Sequence, residues 1–123
     1  MMRIALVEDN ADNRMLVNAI LEDHYQIEEY ESGAEALAGL ESDPPDLVLL
    51  DISLPAMDGT EVLRRMRADE RLRTLPVIAL TAHAMAGDRE KYLGMGFDAY
   101  VTKPIVDESV LLGEIERLLN PAS

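Results

Sequence analysis

The chain has no cysteine and no tryptophan, a single phenylalanine, and fewer than half as many basic as acidic residues, 11 against 24. The absence of cysteine excludes a disulfide scaffold, a thiolate metal site, an iron–sulfur cluster and a cysteine nucleophile. No apolar run approaches the roughly 20 residues that span a bilayer, and Met1-Met2-Arg3 passes straight into a strand-like stretch rather than a signal peptide. The expected compartment is therefore the cytoplasm, with no membrane contact. A net charge of −13 argues against a nucleic-acid surface, because phosphate binding needs clustered Lys and Arg. There is no P-loop. Gly94-Met95-Gly96 falls between a helix and a strand, the wrong order for a dinucleotide fingerprint, and reads as a helix C-cap.

What is present is a chain of 123 residues with 48% hydrophobic content, ordinary for a globular protein. Surface scaling gives a folded area of about 6,600 Å², so roughly two thirds of the unfolded surface can be buried. That suits one domain over residues 1–123, its core running from about 3 to 119, and leaves no room for a second.

Short, continuously apolar runs occur at Ile4-Ala5-Leu6-Val7, Leu47-Val48-Leu49-Leu50 and Val77-Ile78-Ala79-Leu80, the pattern of strands buried on both faces. Gln26–Tyr30 and Ala99–Thr102 are weaker strand candidates. Helical spacing fills the intervals. After Asn10 as N-cap, Leu16, Ala19 and Ile20 share a face; Leu37 and Leu40 mark a helix over about 33–41, Val62 and Met66 a third that fades at Ala68-Asp69. A fourth spans roughly Asp88–Met95, and Leu111, Ile115 and Leu118 mark the last, stopped by Pro121. The spacing predicts five strands alternating with five helices, an α/β fold with a parallel sheet covered on both faces. Of the methionines, most of Met15, Met57, Met66, Met85 and Met95 are expected to pack in the core or in loops rather than to form an adaptable docking surface.

Ligands of open α/β sheets bind outside the carboxyl ends of the strands. Glu8-Asp9 follows the first apolar run, Asp51 the second, Thr81-Ala82 the third, and the last strand leads into Thr102-Lys103-Pro104. Three carboxylates, a hydroxyl and an ammonium thus converge on one sheet edge. Crowded carboxylates repel unless a cation neutralises them, and an all-oxygen set with one or two carboxylates suits Mg²⁺. Such a metal could withdraw charge from a phosphoryl oxygen, with Lys103 as a point charge and Thr81 as a hydrogen-bond donor. Asp51, at the end of the central strand, is then a candidate carboxylate nucleophile. Any one of these residues alone is ordinary loop or surface chemistry; the conjunction at four strand ends is the signal.

The patterns Val7-Glu8-Asp9-Asn10, Asp51-Ile52-Ser53-Leu54-Pro55-Ala56-Met57-Asp58-Gly59, Leu80-Thr81-Ala82, Gly96-Phe97-Asp98-Ala99-Tyr100 and Lys103-Pro104, in this order and spacing, make the chain resemble a response-regulator receiver domain of bacterial two-component signalling. The likeness runs from Arg3 to about Leu119, and is strongest to single-domain regulators and the receivers of hybrid histidine kinases. It implies a doubly wound (βα)5, flavodoxin-like fold with strand order 2-1-3-4-5. It further implies Asp51 as phospho-acceptor, Mg²⁺ held by Asp9, Asp51 and the Ser53 backbone carbonyl with Glu8 acting through water, and Thr81 and Lys103 as phosphoryl contacts. Tyr100 matches an aromatic switch coupled to Thr81, the Lys103–Pro104 peptide is expected to be cis, and Ser53 and His83 stand where the family tunes dephosphorylation. The implied partners are a histidine kinase or phosphotransfer protein and a downstream protein target, met through the fourth helix, fifth strand and fifth helix, as a monomer or a phosphorylation-dependent dimer. An enzyme acting on an external substrate is not expected.

Other readings are a non-phosphorylated adaptor, against which all the site residues are retained, and a hydrolytic phosphotransferase, for which Ser53 cannot supply the acid/base carboxylate. A flavodoxin-like cofactor binder conflicts with the missing tryptophan and with the acidic edge. A stand-alone regulator is favoured, with a receiver cut from a larger regulator or hybrid kinase as the alternative.

Overall fold

The computed structural model describes residues 2–82, 85, 87–103, 105 and 107–120. The elements in chain order are β1 (Arg3–Val7), α1 (Ala11–Leu21), β2 (Gln26–Tyr30), α2 (Gly33–Ser42), β3 (Leu47–Asp51), α3 (Gly59–Ala68), β4 (Val77–Thr81), α4 (Asp88–Met95), β5 (Ala99–Thr102) and α5 (Glu108–Leu119). All strand pairs are parallel and the order is β2-β1-β3-β4-β5, as the resemblance implies.

The continuous apolar runs bury both faces of the sheet, one per alternate residue. Ala5, Val7, Val48, Leu50, Val77 and Ala79 meet Ala36, Leu40, Val62, Leu63, Met66 and Tyr92 from α2, α3 and α4. Ile4, Leu6, Leu47, Leu49, Ile78 and Leu80 meet Val17, Ile20, Leu21, Leu111 and Ile115 from α1 and α5. Right-handed crossovers account for this division: the chain steps one way from β1 to β2 and the other way from β2 through β5. The direction reverses between β1 and β3, which places the ends of those two strands at the switch point. The accessible area is 6584 Å², matching the size expectation.

Side chains cap four helix starts: Asn10 accepts from Asn13 N, Ser32 from Glu35 N, Asp58 from Glu61 N and Asp107 from Ser109 N. Gly96 closes α4 at φ 116°, the left-handed C-cap expected of the Gly94–Gly96 pattern.

Two expectations require correction. The buried stripe of α1 is Val17, Ile20 and Leu21, while Leu16 is 40% exposed and Ala19 is exposed. Leu16 lies one turn after Asp12 on the same helical stripe, so turning it inward would carry that carboxylate toward the core; the stripe one position along avoids that cost. Among the five methionines, only Met66 is buried and only Met57 is packed partly against the core. Met15, Met85 and Met95 are exposed. Their flexible, unbranched side chains lie on outer helical or loop positions that propensity alone does not assign to a face.

Candidate functional site

Glu8 and Asp9 follow β1, Asp51 ends β3, Thr81 ends β4 and Lys103 follows β5, so the sheet brings the sequence-predicted residues to one edge. Glu8, Asp51 and Thr81 are buried, whereas Asp9 is exposed. One carboxylate oxygen from each of Glu8, Asp9 and Asp51 lies within 4.8 Å of the others. The Lys103 ammonium reaches across β4 to Glu8 Oε1 at 2.9 Å and Asp51 Oδ1 at 3.2 Å, with its side chain only 14% exposed. Its backbone N–H donates to Thr81 O at 2.7 Å, which ties the start of the β5–α5 connection to the end of β4. Ser53 donates its backbone N–H to Asp51 Oδ1 at 3.0 Å, holding the carboxylate orientation within its own loop.

The electrostatics are those of an anionic pocket with one cation. Burial, reinforced by a hydrogen bond and repulsion from Asp51, raises the Glu8 carboxyl above its ordinary value, with Lys103 and the Asn10 N–H pulling the other way. Burial alone would lower the Lys103 pKa, but Glu8 and Asp51 more than offset it and hold the ammonium above its ordinary value. Three crowded carboxylates opposed by one ammonium leave an excess of negative charge, and their oxygens form a donor set that fits a hard divalent cation.

A pH dependence follows with a definite sign. The folded state holds the Glu8 proton more tightly than the unfolded chain, for which the ordinary value is 4.5. The cost of ionising Glu8 is therefore fully present above its raised folded value and absent below 4.5. In buffer with EDTA, the urea midpoint should rise as pH falls through the raised Glu8 value toward 4.5, and saturating Mg²⁺ should flatten that rise. A midpoint that falls over this range in EDTA would contradict the charge excess.

Three residues support the site through contacts that the sequence does not announce. Arg14 donates from Nη1 to Glu8 O at 2.8 Å and pairs with Glu31 at 3.2 Å and Glu29 at 3.4 Å, bracing the turn after β1. The Asn10 N–H reaches Glu8 Oε2 at 3.3 Å. At Gly59, the first residue of α3, a Cβ would stand 2.2 Å from Asp51 O and 2.9 Å from Ile52 Cα, so the helix start rests on the backbone of the strand that carries Asp51. The Asp-Gly pair is visible in the sequence, but not the contact that demands it.

Tyr100 is half-buried on β5 and stacks on Tyr92 of α4, ring centroids 5.9 Å apart and planes 19° apart; Tyr92 meets Phe97 edge-on at 6.1 Å. His83 and Pro104, the second dephosphorylation-tuning position and the proline of the expected cis peptide, lie outside the described residues.

A five-stranded parallel sheet in this order, with an acidic cluster and a lysine at its carboxyl edge, defines a receiver-type α/β domain. The family model described as "Response regulator receiver domain" matches residues 4–116, and the chain belongs to that family. The signal transduction histidine-protein kinase BarA of Shigella flexneri is 44% identical over 108 residues, 87% of this chain and 12% of that protein. The polar-differentiation response regulator DivK of Brucella ovis is 44% identical over 103 residues, 83% of this chain and 84% of that protein. The chain thus spans about 12% of the length of the histidine-kinase relatives and most of the length of the DivK relatives. Among solved structures, the receiver domain of sensor histidine kinase PA1611 from Pseudomonas aeruginosa superposes with a TM-score of 0.88 at 36% identity, covering 97% of this chain and 98% of that one; it was described with a magnesium ion coordinated in its active-site cleft. The signal receiver domain of a histidine kinase from Syntrophus aciditrophicus gives 0.88 at 35% identity, covering 100% and 93%. No helix among the described residues is long and apolar enough to cross a membrane.

Proposed function

We propose that the chain is a single receiver domain that accepts a phosphoryl group on Asp51 from a phosphohistidine of a kinase or phosphotransfer protein. The observation that carries this reading is the Lys103 ammonium 3.2 Å from Asp51 Oδ1, beside the buried Glu8 and the exposed Asp9 that complete an oxygen donor set. Asp9 and Asp51, with the Ser53 carbonyl that the family resemblance adds, would hold Mg²⁺, and Glu8 would act through water. The bound ion would neutralise the incoming phosphoryl oxygens.

The chain's own residues supply the rest. Lys103 and the Ser53 N–H hold Oδ1, and Oδ2 is assigned as the nucleophile. As the O–P bond forms, the N–P bond of the donor breaks and its electron pair returns to the imidazole nitrogen. Transfer of this kind needs positioning and charge neutralisation rather than a separate base. Lys103 follows the phosphoryl oxygens and Thr81 donates to another of them. The added charge of about −1.5 to −2 draws on both residues, and Tyr100 on the strand between them is the assigned coupling residue toward α4, β5 and α5. Ser53 and His83 would set the lifetime.

The donor protein must approach the cleft. Beside it, Ala11, Met15 and Ala19 line an open groove of about 530 Å³ along α1, with Met15 69% exposed, an apolar shoulder for that approach. We assign the protein to the cytoplasm, as a phospho-acceptor rather than an enzyme with an external substrate. Incubation with acetyl phosphate and Mg²⁺ should add one phosphoryl group by intact mass, and EDTA should prevent it. Failure to gain mass from acetyl phosphate and from a phosphorylated phosphotransfer protein alike would overturn the reading.

A further inference from the structure

Five of the eleven basic residues fall within ten positions: Arg64, Arg65, Arg67, Arg71 and Arg73, at the end of α3 and in the connection to β4. With Asp69 and Glu70, the only acids in that stretch, it carries +3 in a chain of net −13. Arg67 is committed internally: it donates to the carbonyls of Arg73, Leu75 and Gly96 at 2.8–2.9 Å and pairs with Asp98 at 3.1 Å. It therefore fixes the end of α3 against the end of α4. Arg64, Arg65 and Arg71 are mostly exposed; the first two share Glu61, and Arg71 is 3.8 Å from Asp69. Exposed pairs of this kind exchange at little cost.

Beside Arg64 and Arg67, a groove of about 380 Å³ runs between α3 and the C-terminal end of α4, lined also by Thr60, Glu61, Leu63 and Met95. Met95 is 45% exposed at its edge. An apolar seat and a fixed cationic border thus occur together, on the flank of α4 that faces α3 and apart from the acidic cleft.

We propose that this groove docks a short acidic segment of a partner protein. An apolar side chain of the segment seats against the exposed Met95 at the groove's edge, and its carboxylates take over Arg64 and Arg65 from Glu61. Charge complementarity selects this occupant. A nucleic acid would find no aromatic side chain to stack on and would be repelled along its length by the net negative chain. A second copy would bring another −13 charges. A short segment, confined within a Debye length of about 8 Å, meets mainly the local arginines.

The test is titration of the ¹⁵N-labelled full chain with a short synthetic Glu/Asp-rich peptide carrying a central Leu. Saturable amide shifts are expected around residues 60–67 and 93–96, weakening with added salt. Replacing the peptide Leu by Ser should weaken binding roughly tenfold. The double variant Arg64→Glu/Arg65→Glu should lose the shifts while retaining the Mg²⁺-induced shifts at Asp9 and Asp51, which reports an intact fold. Absence of saturable shifts at millimolar peptide, or equal binding by the charge-reversed variant, would overturn the proposal. So would equal binding by an oligothymidylate, or concentration-dependent self-association through the same residues.

Discussion

Asp51→Asn should abolish phosphoryl uptake from acetyl phosphate and, in EDTA, raise the melting temperature. The two effects share one cause. The substitution removes the carboxylate proposed as nucleophile while keeping an oxygen that can accept from Ser53 N and Lys103. It also removes two carboxylate repulsions against one ammonium attraction. At 4 Å and an effective dielectric near 20, each such interaction is worth about 4 kcal/mol before relaxation and solvent reduce it. With Asp9 exposed, a net gain of about 1 kcal/mol is expected, or about 3–5 °C. Intact mass and calorimetry with and without Mg²⁺ check both. Phosphorylation that persists in the variant would remove Asp51 from its role. An unchanged or lower melting temperature in EDTA would show that the carboxylates are already neutralised by other means.

Gly59→Ala should be the most damaging single-methyl change in the chain. Its Cβ would meet the carbonyl oxygen of Asp51 at 2.2 Å, and that atom belongs to the backbone of the central strand, not to the far end of a flexible side chain. Relief requires α3 to move off β3, which disturbs the packing of Val62, Leu63 and Met66, all in the core. Overpacking typically costs about 1–3 kcal/mol, and a methyl driven into strand backbone lies at or above the top of that range. The urea midpoint should fall accordingly, and Mg²⁺ affinity with it, because the strand end that must shift carries Asp51. Gly113→Ala, where the added methyl meets nothing within 4 Å, is the control and should be neutral or slightly stabilising. Equal behaviour of the two variants would refute the close-approach argument.

The sheet was legible because its strands are buried on both faces. Ile4–Val7, Leu47–Leu50 and Val77–Leu80 have no polar alternation, and breakers separate them from helical spacing. The residues of the site were legible for a topological reason: in a parallel sheet all strands end at the same edge, so the residue after each apolar run can be placed without knowing any side-chain contact. What lay beyond reach was choice between equivalent surfaces. Leu16 and Val17 each stand four residues before an apolar partner, Ile20 and Leu21, and it is Val17 that the docked helix buries beside both. Met15, Met85 and Met95 carry no spacing signal that distinguishes solvent from core. Arg14 is one more basic residue until the fold sets its guanidinium against the carbonyl of Glu8. The steric demand at Gly59 likewise exists only once α3 lies on β3.

The Lys103–Glu8 contact joins residues 95 positions apart. During synthesis Asp51 emerges before the chain's midpoint, while the cation that pairs with it arrives only after β5. A nascent chain holding β1 through β4 would have the carboxylates without their ammonium. On the proposed function, phosphoryl uptake at Asp51 would therefore wait for β5, and would report that the whole sheet has closed.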